Sequence, residues 1–183
     1  MTLGAIILTG GASSRMGADK AETLWLGERA VDRVAALGVR CGAGPVITVG
    51  HRDHGLTFVA DAGVHGGPVG GVMAGVTTLD AAGCTMALIL AVDAPTLTPD
   101  DLAALLTAPW PGAAFQGLHL PMVLHLSAMP TDTAADWPLA RLAERAGLAR
   151  PICPASRLER VRGANTPEER AALLIRLQKE RRG

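Results

Sequence analysis

The 183-residue chain has almost no aromatic surface: two Phe, three Trp and no Tyr, 3% of its residues. Stacking platforms for single-stranded nucleic acid depend on such rings, so a nucleic-acid partner is not expected. Neither sign of charge is in excess, with 17 Lys+Arg against 17 Asp+Glu. That balance argues against a general phosphate-backbone binder and against an acidic solvating tail. No apolar run reaches the roughly 18 residues of a membrane span, and the run to Leu8 is too short for a secretory signal before it meets Gly10 and Gly11. Neither end carries a lipidation motif, so no membrane association is expected. Cys41, Cys84 and Cys153 are scattered with no C-x-x-C, which reads as reduced thiols in a cytoplasmic protein. His51 and His54 are the one histidine pair at metal-like spacing. They lie with Asp53 in a polar stretch that reads as a solvated loop, because structural zinc needs four ligands. Lysine and asparagine are scarce too. Only Lys20 and Lys179 are lysines, and Asn165 is the sole asparagine.

What is present describes a folded chain. Hydrophobic residues make up 49% and charged residues 19%, too apolar for disorder, and the length suits one domain over residues 1–183. Continuous apolar runs at residues 3–8, 45–49, 56–59 and 85–92 read as buried strands. Residues 113–115 and 122–126 read as shorter ones. Helical spacing or helix-start residues mark 28–39, 72–79, 98–106, 134–146 and 166–179. Thr98-Pro99-Asp100-Asp101 and Thr166-Pro167-Glu168-Glu169 are start signals, the second a capping box. Strands alternating with helices imply an α/β fold, a Rossmann-like doubly wound and mostly parallel sheet.

In such sheets ligands bind beyond the carboxyl ends of the strands. The first strand runs into Leu8-Thr9-Gly10-Gly11-Ala12-Ser13-Ser14-Arg15-Met16-Gly17-Ala18-Asp19-Lys20. Three glycines let backbone N–H groups turn onto anionic oxygens, and two hydroxyls, an Arg and a scarce Lys accompany them. The combination suits a polyphosphate. Neither the Walker A pattern nor G-x-G-x-x-G matches, because Lys20 lies three residues beyond Gly17 and Gly10 and Gly11 are adjacent.

Residues 8–20 resemble the loop of the molybdenum cofactor guanylyltransferases, which read L-x-G-G-x-S-x-R-M-G-x-D-K within the nucleotide-diphospho-sugar transferase type of fold. Three further blocks follow in family order. Val59-Ala60-Asp61 precedes Gly67-Pro68-Val69-Gly70-Gly71, Val92-Asp93-Ala94-Pro95 resembles C-D-x-P, and Ala164-Asn165-Thr166-Pro167-Glu168-Glu169 resembles the closing N-T-P-E-E. Where the family often places an Asn after its second strand, this chain has Gly50-His51. The acceptor-side segment around Leu120-Pro121-Met122 matches poorly.

The resemblance implies transfer of GMP from Mg·GTP to the phosphate of molybdopterin, releasing pyrophosphate. Leu8, Thr9 and Gly10 would hold base and ribose, Gly11 onward the triphosphate, and Lys20 its phosphates. Arg15 would add charge or be an ordinary loop arginine. Asp93 would hold Mg²⁺ and contact the nucleotide, or serve as a turn residue before Pro95. Asp61 would contact the nucleotide or be a turn carboxylate, and Gly66 to Gly71 would approach the base. Asn165 would touch the acceptor or the metal, or simply precede a helix. His119 and His125 fall where part of the acceptor pocket is implied, with a half-buried, backbone-satisfied histidine the commoner outcome. Cytidylyl-transferring relatives read L-A-A-G and G-D-x-P, so Gly10-Gly11 and Val92-Asp93 point to GTP. Molybdoenzymes or cofactor-insertion proteins are the implied protein partners. The competing readings are a nucleotidyltransferase with CTP or another phosphate acceptor, and a non-catalytic cofactor-binding adaptor.

Overall fold

The computed structural model describes residues 1–10, 19–61 and 67–181. Strand β1 (Leu3–Leu8) lies inside a six-stranded sheet ordered β5-β4-β1-β6-β8-β7. It pairs in parallel with β4 (Val46–Gly50) and β6 (Met86–Ala91), and β5 (Phe58–Ala60) extends the parallel set. Strands β8 (Met122–His125) and β7 (Gly112–Ala114) close the other edge antiparallel. The inner strands are apolar without alternation because helices cover both faces. Ala5, Ile7, Leu88 and Leu90 point into a cluster with Val34 and Leu37 of α1 (Ala30–Arg40) and Leu102 of α3 (Pro99–Leu106). Ile6, Leu8 and Ile89, one residue out of phase, meet Val72 and Leu79 of α2 (Pro68–Ala81) and Leu142 of α4 (Leu139–Arg145). Each fully buried Leu or Ile contributes roughly 1.5–3 kcal/mol.

Helix α2 starts at Pro68, earlier than the expected residue 72, because proline at the first helical position needs no N–H partner. It lies close to the sheet through Gly75, where a Cβ would stand 2.7–2.9 Å from three Ile6 side-chain atoms. Helix α4 is shorter than the expected 134–146. Pro138 has no N–H to donate, and the residue before a proline is biased to extended backbone. A small hairpin pairs β2 (Leu24–Trp25), where the sequence indicates no element, with β3 (Glu28–Arg29), which takes the first two residues of the helix expected over 28–39. Its two-residue turn has φ 52° at Leu26 and 89° at Gly27, the handedness that matches strand twist. Leucine is a poor residue for that conformation and gives no turn signal.

Two further helices complete the chain. Helix α5 (Leu158–Arg162) has no counterpart in the sequence reading, and α6 (Pro167–Glu180) begins at the expected capping box. Helix α5 is locked to α3 by a buried ion pair. The Arg160 guanidinium donates Nε to Asp101 Oδ2 at 2.9 Å and Nη2 to Asp101 Oδ1 at 2.8 Å, and the Asp101 side chain is fully buried. Asp101 also accepts from the Thr98 N–H and hydroxyl, and Arg157 donates to the Asp100 carbonyl. Burial alone would raise the Asp101 carboxyl; Arg160 and Thr98 outweigh it and hold it below the usual carboxylate range.

Removing one partner strands the other charge, so Arg160→Ala is expected to cost about 3–5 kcal/mol in urea unfolding. A depressed native pKa also gives the effect a direction in pH. The advantage of wild type over Asp101→Asn is full above the ordinary Asp value of about 3.9 and shrinks as pH falls through the lower native value. Urea melts of both proteins between neutral and acid pH check this. A difference that does not change with pH contradicts it.

Candidate active site

Lys20 opens a 3₁₀ turn, Lys20–Glu22, capped by the Asp19 carboxylate, which accepts the Ala21 N–H at 3.0 Å. The far end of this turn is tied down by His54. Its side chain is only 2% exposed, and its Nδ1 lies 2.8 Å from Glu22 Oε1. Arg29 donates to both Glu22 and the His54 carbonyl while gripping Asp32 with two hydrogen bonds of 2.7 and 2.8 Å. The His54 contact, against the opposing effect of burial and aided by Arg29, holds the Glu22 carboxyl below its ordinary value. The expected solvated histidine loop is therefore corrected. His51 is exposed, but His54 is a buried anchor for the lysine turn, because Glu22 offers it a carboxylate 32 residues away in sequence.

Asp93 lies just beyond the carboxyl end of β6, and Lys20 Nζ lies 3.9 Å from its Oδ2. Burial pushes the Asp93 carboxyl up; Lys20 pulls it back. Asn165 arrives from the other end of the chain, 145 residues from Lys20, and its Oδ1 accepts from Lys20 Nζ at 3.0 Å. Local structure explains the delivery. The Asn165 N–H donates to Glu169 Oε2 at 2.7 Å, inside the capping box of α6. The Ala164 N–H donates to the Asp93 carbonyl at 2.9 Å. Between α5 and Ala164 stands Gly163 at φ 70°, where a Cβ would lie 2.3 Å from the same Asp93 carbonyl oxygen.

The other expected residues lie around this centre at the carboxyl ends of the parallel strands. Leu8 ends β1, and the Thr9 N–H and hydroxyl both donate to the Val49 carbonyl, at 2.9 and 3.2 Å. Gly10 is exposed next to Gly50 and His51. Asp61 follows β5, its N–H donating to the Gly50 carbonyl at 3.0 Å. Its Oδ1 is buried without a hydrogen-bond partner among the described residues, close to Gly70 in the first turn of α2. Gly11, Arg15 and Gly66 lie outside the described residues. His125 is half-buried on β8 opposite Met86, whereas His119 is exposed and lines a cavity beside Asp93. Lys20, Asp93 and Asn165 are thus brought together, with Leu8, Thr9, Gly10 and Asp61 on the same edge. Sequence reasoning missed His54, Gly163 and the Arg160–Asp101 pair. None of these carried a local signal, since each depends on a partner distant in sequence.

The model of the MobA-like NTP transferase domain matches residues 5–152. The chain is 31% identical over 178 residues to the molybdenum cofactor guanylyltransferase of Xanthomonas euvesicatoria pv. vesicatoria, covering 92% of this chain and 93% of that protein. The chain belongs to the MobA-like NTP transferase family.

Among solved structures, a nucleotidyl transferase from Methanothermobacter thermautotroptrophicus superposes with a TM-score of 0.72 at 17% identity, over 98% of this chain and 99% of the other. The molybdopterin-guanine dinucleotide biosynthesis protein A of Archaeoglobus fulgidus superposes with a TM-score of 0.65 at 18% identity, over 96% and 98%. At these identities the superpositions speak for the doubly wound fold alone. The MobA-like chain is accordingly a nucleotidyltransferase. No helix among its described residues is long and apolar enough to cross a membrane.

Proposed function

We propose that this nucleotidyltransferase moves GMP from Mg·GTP to the phosphate of molybdopterin, forming the guanine dinucleotide cofactor and releasing pyrophosphate. The observation that carries the reading is the meeting of Lys20, Asp93 and Asn165 at one point beyond the carboxyl ends of β1 and β6. An oxygen of the acceptor phosphate attacks the α-phosphorus, and the bond from that phosphorus to the bridging oxygen breaks. Negative charge then grows on the departing pyrophosphate. The acceptor phosphate is already anionic at neutral pH, so no general base is required and catalysis rests on positioning and charge.

Lys20 supplies a cation whose place is set by Asn165 and Asp93 before the nucleotide arrives, which favours the transition state over the ground state. Leu8, Thr9 and Gly10 hold base and ribose and the loop from Gly11 the triphosphate, with Asp61 beside them and Arg15 adding charge to the loop. Asp93 and Asn165 offer one carboxylate and one amide oxygen. Mg²⁺ characteristically takes one or two carboxylates and fills its shell with substrate phosphates and water. The fit is supported by the donor set itself, a carboxylate and an amide oxygen brought to one point from distant parts of the chain. These two residues would hold the ion, which when bound neutralises phosphate charge.

Guanine rather than cytosine is supported by Gly10-Gly11 in the loop and by the name of the Xanthomonas relative. Molybdopterin is supported by the same name, and molybdoenzymes or cofactor-insertion proteins would receive the product. The test is pyrophosphate release with each of the four NTPs, with and without molybdopterin, at fixed Mg²⁺. GTP with molybdopterin is expected to turn over at least tenfold faster than any other pairing, a difference of about 1.4 kcal/mol. Turnover with CTP alone sinks the guanylyl assignment, and turnover with none sinks transfer to molybdopterin and favours the adaptor reading.

A further inference from the structure

Two anions must meet, and Lys20 with the residues around Asp93 neutralises only the nucleotide side. The acceptor phosphate needs a cation of its own on the opposite flank, next to a surface that accepts a ring system.

A cavity of about 200 Å³ opens beside Asp93, bounded by Leu97, His119, Leu120, Leu139 and Arg162. Its walls are mostly apolar, with polar groups at Asp93, His119 and Arg162. Arg162 is the last residue of α5 and is exposed. Its neighbours are committed elsewhere: Arg160 and Arg157 to Asp101, Arg176 to Glu159 and Glu180. Arg162 itself has no ion pair or side-chain hydrogen bond among the described residues. The helix that carries it is held, because Arg160 is clamped to Asp101 and Val161 is buried in the core. A cation on a helix that is held in place therefore borders a cavity of mixed apolar and polar lining that also contains Asp93.

We propose that Arg162 is the acceptor-binding residue, taking the phosphate monoester of the incoming substrate while its ring system rests on Leu97, Leu120 and Leu139. The assignment rests on the functional reading above. Arginine suits the task because its charge is permanent and its planar fork matches two phosphate oxygens at once. Without that match, Arg162 is simply a cation at the C-terminal end of a short helix, where it meets the helix dipole and does nothing to the reaction.

Steady-state kinetics with Mg·GTP and molybdopterin, together with calorimetric titration of Mg·GTP, separate the two roles. Arg162→Ala is expected to raise the acceptor KM roughly 10- to 100-fold, the effect of losing a charged hydrogen-bond pair. The affinity for GTP should stay within about two-fold and the melting temperature should not change, with Arg162→Lys recovering part of the acceptor affinity. An unchanged acceptor KM overturns the assignment, as does a parallel loss of GTP affinity. So does a larger acceptor effect from His119→Ala than from Arg162→Ala. If wild type transfers nothing from GTP to molybdopterin, the functional reading fails first and takes the assignment with it. If wild type transfers and Arg162→Ala behaves like it, the assignment alone fails.

Discussion

Lys20→Ala loses nucleotidyl transfer and keeps the fold. Removing one fixed charge or donor aimed at a developing anion typically costs about 10²–10³ in kcat. Lys20 is placed to act in that way, because its ammonium is held at 3.0 Å from the Asn165 carbonyl oxygen and 3.9 Å from Asp93 before substrate binds. Its contribution to stability is small by comparison. Both partners are about one-third exposed, and such pairs are worth about 0–1 kcal/mol. The turn that carries Lys20 is anchored by His54, Glu22 and Arg29 rather than by the lysine itself. Pyrophosphate release and a thermal melt on the same preparation check both halves. Near-normal turnover with an unchanged melt means that Lys20 is not at the reacting phosphate.

Gly163→Ala is expected to be nearly as damaging to activity, although the residue touches no substrate. An alanine Cβ would overlap the Asp93 carbonyl oxygen, and φ 70° with ψ −169° is a backbone region essentially reserved for glycine, costing another residue roughly 1–3 kcal/mol. The chain can relieve the clash only by moving Ala164 off Asp93, which displaces Asn165 and with it the cation it holds. A displacement of about 1 Å in such a centre can cost on the order of 10²-fold. Gly147→Ala is the control. That glycine has φ 69°, but its nearest neighbour to a new Cβ is Pro111 Cγ at 3.8 Å. Both variants should lower the melting temperature through strain, and only Gly163→Ala should lower kcat. Equal kcat in the two would detach the C-terminal segment from the chemistry.

The parts legible in the sequence are those whose cause is local. Strands β1 and β6 show as uninterrupted apolar runs because helices cover both faces of the sheet, and α3 and α6 announce themselves through Thr-Pro-acid starts. Lys20, Asp93 and Asn165 stood out because lysine and asparagine are scarce here and Asp93 ends the most apolar strand. The structure places them within reach of one another. What stayed hidden depends on partners far away in sequence. Nothing near His54 reveals Glu22, and nothing near Asp101 reveals Arg160, 59 residues on. The β2–β3 hairpin is invisible for a different reason, since leucine stands where the turn asks for glycine or asparagine. Helix α5 is a five-residue segment with one buried side chain, too short to show a period.

The low overall charge fits this picture. The positive groups proposed to meet the substrate are few, Lys20, Arg15 and Arg162, while Arg29, Arg33, Arg160 and Arg176 are ion-paired to carboxylates. A zero net charge is therefore no obstacle to a highly anionic ligand.

The central claim is transfer of an intact nucleoside monophosphate at the Lys20–Asp93–Asn165 centre. The most direct measurement follows GTP labelled at the α-phosphorus, with Mg²⁺ and molybdopterin, through wild type and Asp93→Asn. The account predicts that label appears in a guanine–pterin dinucleotide in one-to-one ratio with pyrophosphate, and that Asp93→Asn or a chelator stops it. Label released as free GMP, or dinucleotide formed undiminished by Asp93→Asn, would contradict it.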